Sequence, residues 1–298
     1  MSMLKSILPR PILHALIRRK AALHRTPIER FRVFIAHDLE HYQDAFSLLH
    51  SAYVFQGLKI PRGVTMRITP QHVLPESTVF VAYEGDVIVG TMTVTLDSPA
   101  GLPLDKDYGE ALASWRARGD VLVEFGSLAV VRRCWHDGVT TLLNMAANWW
   151  SHKILHANRL VMGINPAASD VYAALFLFEP LGPPRHHAEL TAPVQGFTVS
   201  VADAYRHSDR HFRARMSNGT PVNQVFHDLS LPCFSGIPRE IAEQDLARWK
   251  LPRKVFKELF IKQSDRLDSL DPDVRYYLSQ WRTPRTLSGA DTGTVTNG

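Results

Sequence analysis

The sequence has few cysteines and no long apolar run, and both shortages restrict the class of protein. Its 298 residues include only Cys134 and Cys233, which supply neither a disulfide framework nor a ligand cluster for zinc. No apolar run approaches the roughly 18 residues that a transmembrane helix requires. Apolar residues make up 45% of the chain and charged residues 21%, as in ordinary globular proteins. We therefore predict a cytoplasmic protein with a full hydrophobic core.

Basic residues outnumber acidic ones, with 34 Lys and Arg against 29 Asp and Glu and a formal net charge of +5. Such a balance favours anionic partners, among them nucleic acid, lipid head groups and an acidic carrier protein. The basic residues are scattered and accompany no nucleic-acid-binding motif, so nucleic acid is not an expected partner. Residues 1–30 are basic and amphipathic. They form either a helix that touches a membrane surface or an arm packed against the body.

The stretch VLVEFGSLAVV, which begins at Val121, is a nearly continuous apolar run interrupted by Glu124. Such a run predicts a strand that is covered on both faces. An isolated buried carboxylate must be paired or must have a raised pKa, and a raised pKa suits a general base that acts on an amine near neutral pH. The alternative is a Glu at the wet end of the strand, or one paired with Arg132 or Arg133. The sequence leaves both open.

A helix is predicted directly after this strand, and its first residues offer an anion site. Gly138, Thr140 and Thr141 stand at its start, where free backbone N–H groups and the helix dipole would face an anion. Arg132 and Arg133 are close in sequence. The alternative is a plain N-cap on a core helix. The apolar positions at helical spacing are Leu142, Met145, Ala146, Trp149 and Trp150.

Strand and helix patterns alternate between residues 31 and 205, which predicts an α/β fold with a mixed central sheet flanked by helices. Residues 1–30 form the N-terminal segment, 206–285 a C-terminal helical extension and 286–298 a disordered tail. One helix of the extension either docks an acidic carrier protein or covers the sheet. Its basic residues are Arg253, Lys254, Lys257 and Lys262. His207 and His211 are four residues apart, but without a third ligand they indicate a solvated helix face, and no metal is predicted.

Several phrases in a fixed order carry a family resemblance. They are FRVFIAHDLEHYQDAFSLLHSAYVFQG, TVFVAYEGDVIVGTMTVTLDSPAGLPLD, the E-x-x-x-L-A-V phrase from Glu124 to Val130, and INPAASDVYAALFLFEPLG. Over roughly 170 residues this order resembles the Gcn5-related N-acetyltransferase (GNAT) fold. Within that fold it resembles the N-acyl amino acid synthases, which are relatives of the acyl-homoserine-lactone autoinducer synthases.

The resemblance implies transfer of a long-chain fatty acyl group from the phosphopantetheine thioester of acyl carrier protein to the α-amine of an amino acid. Glu124 is then the candidate base, and Tyr172 the candidate acid near the departing sulfur. The alternative for Tyr172 is a core or capping tyrosine. The expected contacts of the phosphopantetheine arm are Leu128, Val130, Arg132, Arg133, Gly138, Val139, Thr140 and Thr141. No permanently bound cofactor is expected.

Two departures from the family pattern bear on the substrates. Glycines in the usual turn admit the pyrophosphate of coenzyme A, whereas Trp135 and Thr140 stand at those positions here. This favours the single phosphate of a carrier protein, with coenzyme A thioesters left as an alternative donor. Related synthases also carry an arginine shortly after the strand Glu, whereas this chain has Gly126 and Ser127. The cation for the amino acid is then expected at Arg132, Arg133 or Arg67.

The carbonyl oxygen of the thioester needs a hydrogen-bond donor as it gains charge. A backbone N–H between Gly126 and Leu128 could serve if Gly126 marks a bulge in the strand. Three functions remain beside the main prediction. They are a coenzyme A-dependent N-acetyltransferase, an autoinducer synthase that uses S-adenosylmethionine, and a non-catalytic module that binds lipid or a carrier protein.

Overall fold

The computed structural model describes residues 8–20, 28–55, 57, 63–186, 193–216, 219–241, 251–262, 267 and 270–282. The tail predicted at 286–298 lies outside these residues. The helices are α1 (Arg10–Lys20), α2 (Leu39–Phe55), α3 (Asp105–Arg116), α4 (Val139–Lys153), α5 (Ser169–Phe176), α6 (Val201–His211), α7 (Val222–Asp228), α8 (Arg253–Phe256) and α9 (Pro272–Arg282). Helix α8 continues as a π-helical turn over Lys257–Lys262.

A mixed sheet lies at the centre of these helices, as the alternating pattern predicts. Its strands are β1 (Phe31–Ile35), β2 (Ser77–Glu84), β3 (Val87–Leu96), β4 (Leu122–Val130), β5 (Arg159–Ile164), β6 (Glu179–Pro180) and β7 (Gln195–Ser200). They lie in the order β1-β2-β3-β4-β5-β7-β6. The β4–β5 pair is parallel, and every other neighbouring pair is antiparallel. Helix α4 makes the long crossover that a parallel pair requires.

One face of the sheet, here called the core face, is covered by α4. Side chains of a strand alternate between faces, so Met92, Val94, Val123 and Phe125 all point to this side. They belong to one continuous hydrophobic cluster with α4, and all four are almost completely buried. The helix approaches closely at Gly90, where an added Cβ would lie 2.7 Å from Val139 Cγ1. A glycine is therefore required for this packing.

The opposite face, here called the cleft face, carries two separate hydrophobic clusters. One joins α2, α8 and α9 to β1, β2 and β3, and the other joins α3 to Leu122 and Val161. Between them the inward positions of the strands are polar. We call this set the polar strip; it consists of Ser77, Thr91, Thr93, Thr95 and Glu124, all buried. Polar groups that break an apolar surface in this way mark the place where a ligand can lie between two packed halves.

Two outer elements bear on alternatives that the sequence left open. Helix α1 packs on α5 through Leu13 and Ile17, and Arg18 Nη1 donates to Ala174 O at 3.4 Å, so this part of the N-terminal segment is a packed arm. The segment of α8 and its π-helical turn buries Phe256 and Phe260 against the cleft face, so it covers the sheet. Among the described residues, no helix is both long and apolar enough to span a membrane.

Candidate functional site

Glu124 lies in the middle of β4 on the cleft face and is only 6% exposed. One carboxylate oxygen, Oε2, accepts a hydrogen bond from Leu104 N at 2.9 Å. Burial raises the pKa of Glu124 to about 8, and this bond and nearby Asp105 only modify that effect. Glu124 forms no ion pair within the described residues. The alternative pairing with Arg132 or Arg133 is therefore wrong, and the carboxyl group has the raised pKa expected of a base that acts near neutral pH.

The loop that supplies Leu104 N is itself fixed by charge. The Arg116 guanidinium at the end of α3 bonds both Asp97 and Asp105, with N–O distances of 2.6–2.8 Å. Asp105 Oδ2 also accepts from Leu102 N at 2.7 Å. The loop over Glu124 is held in one position because the planar guanidinium donates to both carboxylates in a fixed geometry.

The predicted bulge is present in β4, one residue after Gly126. Thr91 pairs with Ala129 and Thr93 with Gly126, so Ser127 and Leu128 have no register partner on β3. Ser127 adopts φ +50°, which non-glycine residues rarely do. On the other side, the pairing of β4 with β5 ends at Phe125 and Met162. The backbone of residues 127–128 therefore lies outside the register of both ladders, at the place where the sequence predicts an amide donor for the thioester oxygen.

An open space lies on the cleft face directly above Gly126. A Cβ built at this glycine would meet no heavy atom of the described residues within 4 Å. Glu124 precedes Gly126 by two residues on the same face, and Thr93 lies opposite Gly126 on β3. The polar strip, the bulge and the end of the β4–β5 ladder thus meet around one space.

Tyr172 lies on α5 and belongs to the hydrophobic cluster that α4 forms with the core face. It is 8% exposed, and its ring lies near those of Phe176 and Phe178. Burial raises the pKa of Tyr172 above its usual range, and the Tyr53 phenol near the end of α2 adds to that effect. A phenol with a raised pKa stays protonated at neutral pH and can donate its proton to a strong base.

The predicted phosphate turn leads into α4. Gly138 adopts φ +83° as the N-cap, and the first N–H of the helix to bond is Leu142 N, which donates to Gly138 O at 2.9 Å. Amides of the first turn are left for a ligand or water. The side chains of Val139 and Thr141 are buried and that of Thr140 is half-buried, so contact with a phosphate falls mainly to the backbone.

The arginines beside this turn have different surroundings. Arg133 pairs with Glu84, and Arg30 pairs with both Glu84 and Asp137. Arg132 forms no ion pair within the described part of the chain. Its guanidinium lies 5.5 Å from the ring centroid of Phe55 and 6.0 Å from that of Trp135. Both rings are exposed at the surface, 63% and 50% respectively.

Arg67 is the third cation that the sequence proposed for the amino acid. The backbone N–H of Arg67 donates to Phe46 O at 2.9 Å, and its guanidinium lies 4.5 Å from the ring centroid of Tyr53. Burial lowers the pKa of His72, and the charge of Arg67 adds to that effect. Arg67 is therefore next to the cleft face, whereas Arg132 and Arg133 are at the phosphate turn.

Sequence reasoning missed His72 and Thr93. His72 Nε2 lies 3.2 Å from Thr93 Oγ1, and His72 Nδ1 accepts from Thr69 N at 3.0 Å. Both His72 and Thr93 are buried. The alternation of Thr91, Thr93 and Thr95 in β3 was the available signal, because three polar residues at period two predict a polar strand face.

His207 and His211 are the pair whose spacing suggested metal ligands. His207 Nε2 lies 3.1 Å from Ala174 O, in keeping with a structural role. Among the described residues, only His37, Asp38 and His41 bring three donor atoms within 4.8 Å of one another. That trio stands at the start of α2, where Asp38 also accepts from His41 N at 2.9 Å, and it contributes no group to the polar strip.

Comparison with solved structures shows which known proteins share this fold. FeeM, an N-acyl amino acid synthase from uncultured soil microbes, superimposes with a TM-score of 0.53 at 23% identity over 59% of this chain and 94% of FeeM. A coenzyme A-dependent acyl-homoserine lactone synthase, BjaI, gives 0.43 at 19% identity over 64% and 91%. A GNAT-family acetyltransferase from Streptococcus pneumoniae gives 0.38 at 18% over 57% and 99%. The superposition on FeeM shows that this chain has the FeeM fold.

The family follows from the sequence itself. A model of the N-acyl amino acid synthase FeeM family matches residues 44–200, more than half of the chain. The chain belongs to this family and is an N-acyltransferase. A search of curated protein sequences finds no match.

Proposed function

We propose that the protein transfers a long-chain fatty acyl group from the thioester of acyl carrier protein to the α-amine of an amino acid. The observation that carries this proposal is Glu124, a buried carboxyl group with a pKa near 8 beside the open space above Gly126. An amino acid enters with its amine protonated, and a base of this strength can remove that proton near neutral pH.

The reaction can be followed atom by atom. Glu124 takes a proton from the ammonium group, and the freed amine attacks the thioester carbonyl carbon. The carbonyl oxygen gains negative charge, which the amides of residues 127–128 stabilise. The C–N bond forms, the C–S bond breaks, and the thiolate takes the Tyr172 proton. One further proton leaves the nitrogen to give the neutral amide, and it restores Tyr172.

The donor arm occupies the gap between β4 and β5, with its phosphate at the first turn of α4. Leu128 and Val130 on β4, and the backbone of residues 138–141, are the groups along this path. Arg133 is paired with Glu84, so it neutralises an acidic neighbour and is not available as a bare cation for the phosphate. This arrangement suits one phosphate better than the pyrophosphate of coenzyme A.

The surface around the phosphate turn suits a carrier protein. In acyl carrier protein the phosphate is esterified to the protein, so the carrier must touch whatever surrounds the turn. Arg132, Phe55 and Trp135 present a cation between two exposed aromatic rings there. Carriers of this kind are acidic, and such a patch gives them charge complementarity with an apolar contact.

Peripheral membrane contact remains a separate prediction for α1. Its outward side exposes Ile12 (51%) and Leu16 (46%) next to basic residues, while Leu13 and Ile17 face α5. We expect weak binding to vesicles that contain anionic lipid, and replacement of Ile12 and Leu16 by serine should abolish it. Sedimentation with neutral vesicles is the control.

The proposed function is tested by mass spectrometry of lipid extracts from cells that express the protein. A new series of long-chain N-acyl amino acids would establish the reaction and name both substrates. The purified protein is then mixed with acyl carrier protein thioester, acyl-coenzyme A or S-adenosylmethionine and each amino acid. Activity only with acetyl-coenzyme A, or only with S-adenosylmethionine, would replace the proposal by the corresponding alternative.

A further inference from the structure

Three threonines on the cleft face of β3 differ in how their single hydroxyl hydrogen is used. Thr91 Oγ1 donates to Phe80 O at 3.0 Å. Ser77 Oγ donates to Gln71 O at 2.6 Å, so its contact with Thr95 Oγ1 at 3.0 Å must use the hydrogen of Thr95. The hydroxyl hydrogens of Thr91 and Thr95 are therefore consumed within the sheet.

Thr93 is different because of His72. Thr69 N donates to His72 Nδ1, so this nitrogen carries a lone pair. Burial lowers the pKa of His72 to about 3, so the ring is neutral and its hydrogen is on Nε2. Nε2 then donates to Thr93 Oγ1 at 3.2 Å. Thr93 accepts this bond and keeps its own hydrogen, for which no acceptor exists among the described residues.

Thr93 lies beside the space above Gly126. Thr93 and Gly126 are register partners and share the cleft face, and nothing fills the position of the missing Cβ. Glu124 borders the same space two residues earlier on β4. The charge of Arg67 acts on His72, so positive charge lies on the Thr93 side of this space, whereas the raised pKa of Glu124 lets that carboxyl group take up a proton on the other side.

We infer that the Thr93 hydroxyl donates a hydrogen bond to the carboxylate of the amino acid acceptor. His72 is the positioning residue, because its own hydrogen bond orients that hydroxyl. An α-amino acid carries its amine and carboxylate on one carbon, which matches a base and a hydroxyl donor on neighbouring strands. Arg67 supplies the opposite charge for the same carboxylate. This inference rests on the proposed function and extends it to selection for acceptors that have a free α-carboxylate.

The experiment compares Thr93→Val with Thr91→Val, two nearly isosteric changes on the same face of the same strand. Kinetics are measured with the best acceptor from a screen of amino acids and with its α-carboxamide, which keeps the amine and lacks the charge. We expect Thr93→Val to raise KM for the amino acid about 10- to 100-fold, as for a lost hydrogen bond to a charged group, with kcat little changed. KM for the carboxamide should rise much less, and Thr91→Val should change KM for both acceptors equally.

Other outcomes overturn the inference. If Thr93→Val lowers kcat and leaves KM for the amino acid unchanged, the hydroxyl acts on the thioester carbonyl instead. If Thr93→Val raises KM equally for the amino acid and for its carboxamide, Thr93 does not contact the carboxylate. If wild-type protein acylates no amino acid with any thioester donor, the proposed function fails first, and the inference fails with it.

His72 provides a second comparison. His72→Gln can still accept from Thr69 N and donate to Thr93, whereas His72→Leu can do neither. We expect the glutamine variant to retain most of the preference for amino acid over carboxamide, and the leucine variant to lose it. Circular dichroism shows which variants fold. If the leucine variant folds and keeps the preference, the positioning role of His72 is wrong.

Discussion

The two faces of β3 and β4 are made from alternate residues of the same strands, yet they differ in almost every property. The core face is continuous and apolar, and a helix lies so close to it that Gly90 has no room for a methyl group. The cleft face is divided by the polar strip, and Gly126 opens on empty space. The core face therefore stabilises the fold, whereas the cleft face leaves polar groups and space that the packing does not use.

The most severe test of this comparison is Glu124→Gln, which keeps the shape of the side chain and removes its basicity. We expect kcat to fall about 10²- to 10⁴-fold, as is usual when a general base is lost. Binding of the acylated carrier should persist, because it depends on the phosphate turn. Single-turnover assays and a binding titration separate the two effects. Retained product formation would exclude Glu124 as the base.

The pH dependence of stability is the second test. The pKa of Glu124 is about 8 in the folded protein, against an ordinary value of 4.5. Between these values the folded protein holds a proton that the unfolded chain has lost, so the free energy of unfolding decreases as pH rises through this window. The stabilisation is complete below the lower value. Denaturant titrations across the window should show a smaller decrease for Glu124→Gln, and equal slopes would mean that the carboxyl group is not buried.

The Glu124 carboxyl group should also determine how kcat/KM depends on pH. Since the base must be deprotonated, kcat/KM should rise with pH and level off above about 8. An acceptor whose amine has a pKa far from 8 allows the titration of Glu124 to be distinguished from that of the amine. A flat profile would contradict the assignment.

Adding one methyl group to each face is the third test. Gly90→Ala should lower the free energy of unfolding by about 1–3 kcal/mol, because fully buried Val139 and Leu143 would have to move. Its activity per folded molecule should be normal. Gly126→Ala should change stability by about 0.5 kcal/mol or less and raise KM for the amino acid severalfold. The comparison fails if both variants lose stability equally.

The smallest effect is expected at the phosphate turn. Arg132→Ala and Trp135→Ala should raise KM for acylated carrier protein a few-fold at low salt, with less effect at high salt, and should leave a free acyl-phosphopantetheine donor unaffected. Lys257→Ala is the matched control on the basic helix that covers the sheet. A larger effect of the control would move the docking surface to that helix.

Sequence patterns were most informative where one signal dominated. The apolar run around Glu124 predicts the buried carboxylate, Gly126 predicts the bulge, and the apolar stripe of α4 predicts its helix. The partners of charged groups were not predictable in the same way. Arg133 pairs with Glu84, which is 49 residues away in sequence, and only the antiparallel register of the sheet brings them together.

Other parts of the site depend on several distant segments at once. His72 looks like an ordinary loop residue until β3 places Thr93 beside it. Glu124 receives its hydrogen bond from Leu104, whose position depends on how Arg116 joins two aspartates. Local periodicity contains no information about such contacts, so the burial of Glu124 was predictable and its hydrogen-bond partners were not.

The ion pairs among Arg30, Glu84, Arg133 and Asp137 join four separate points of the chain around the turn that leads into α4. Most of the positive charge there is already compensated. If the proposed carrier protein docks at this turn, it separates few strong contacts when it leaves, so we expect the spent carrier to have a short residence time and to exchange rapidly with a freshly loaded one.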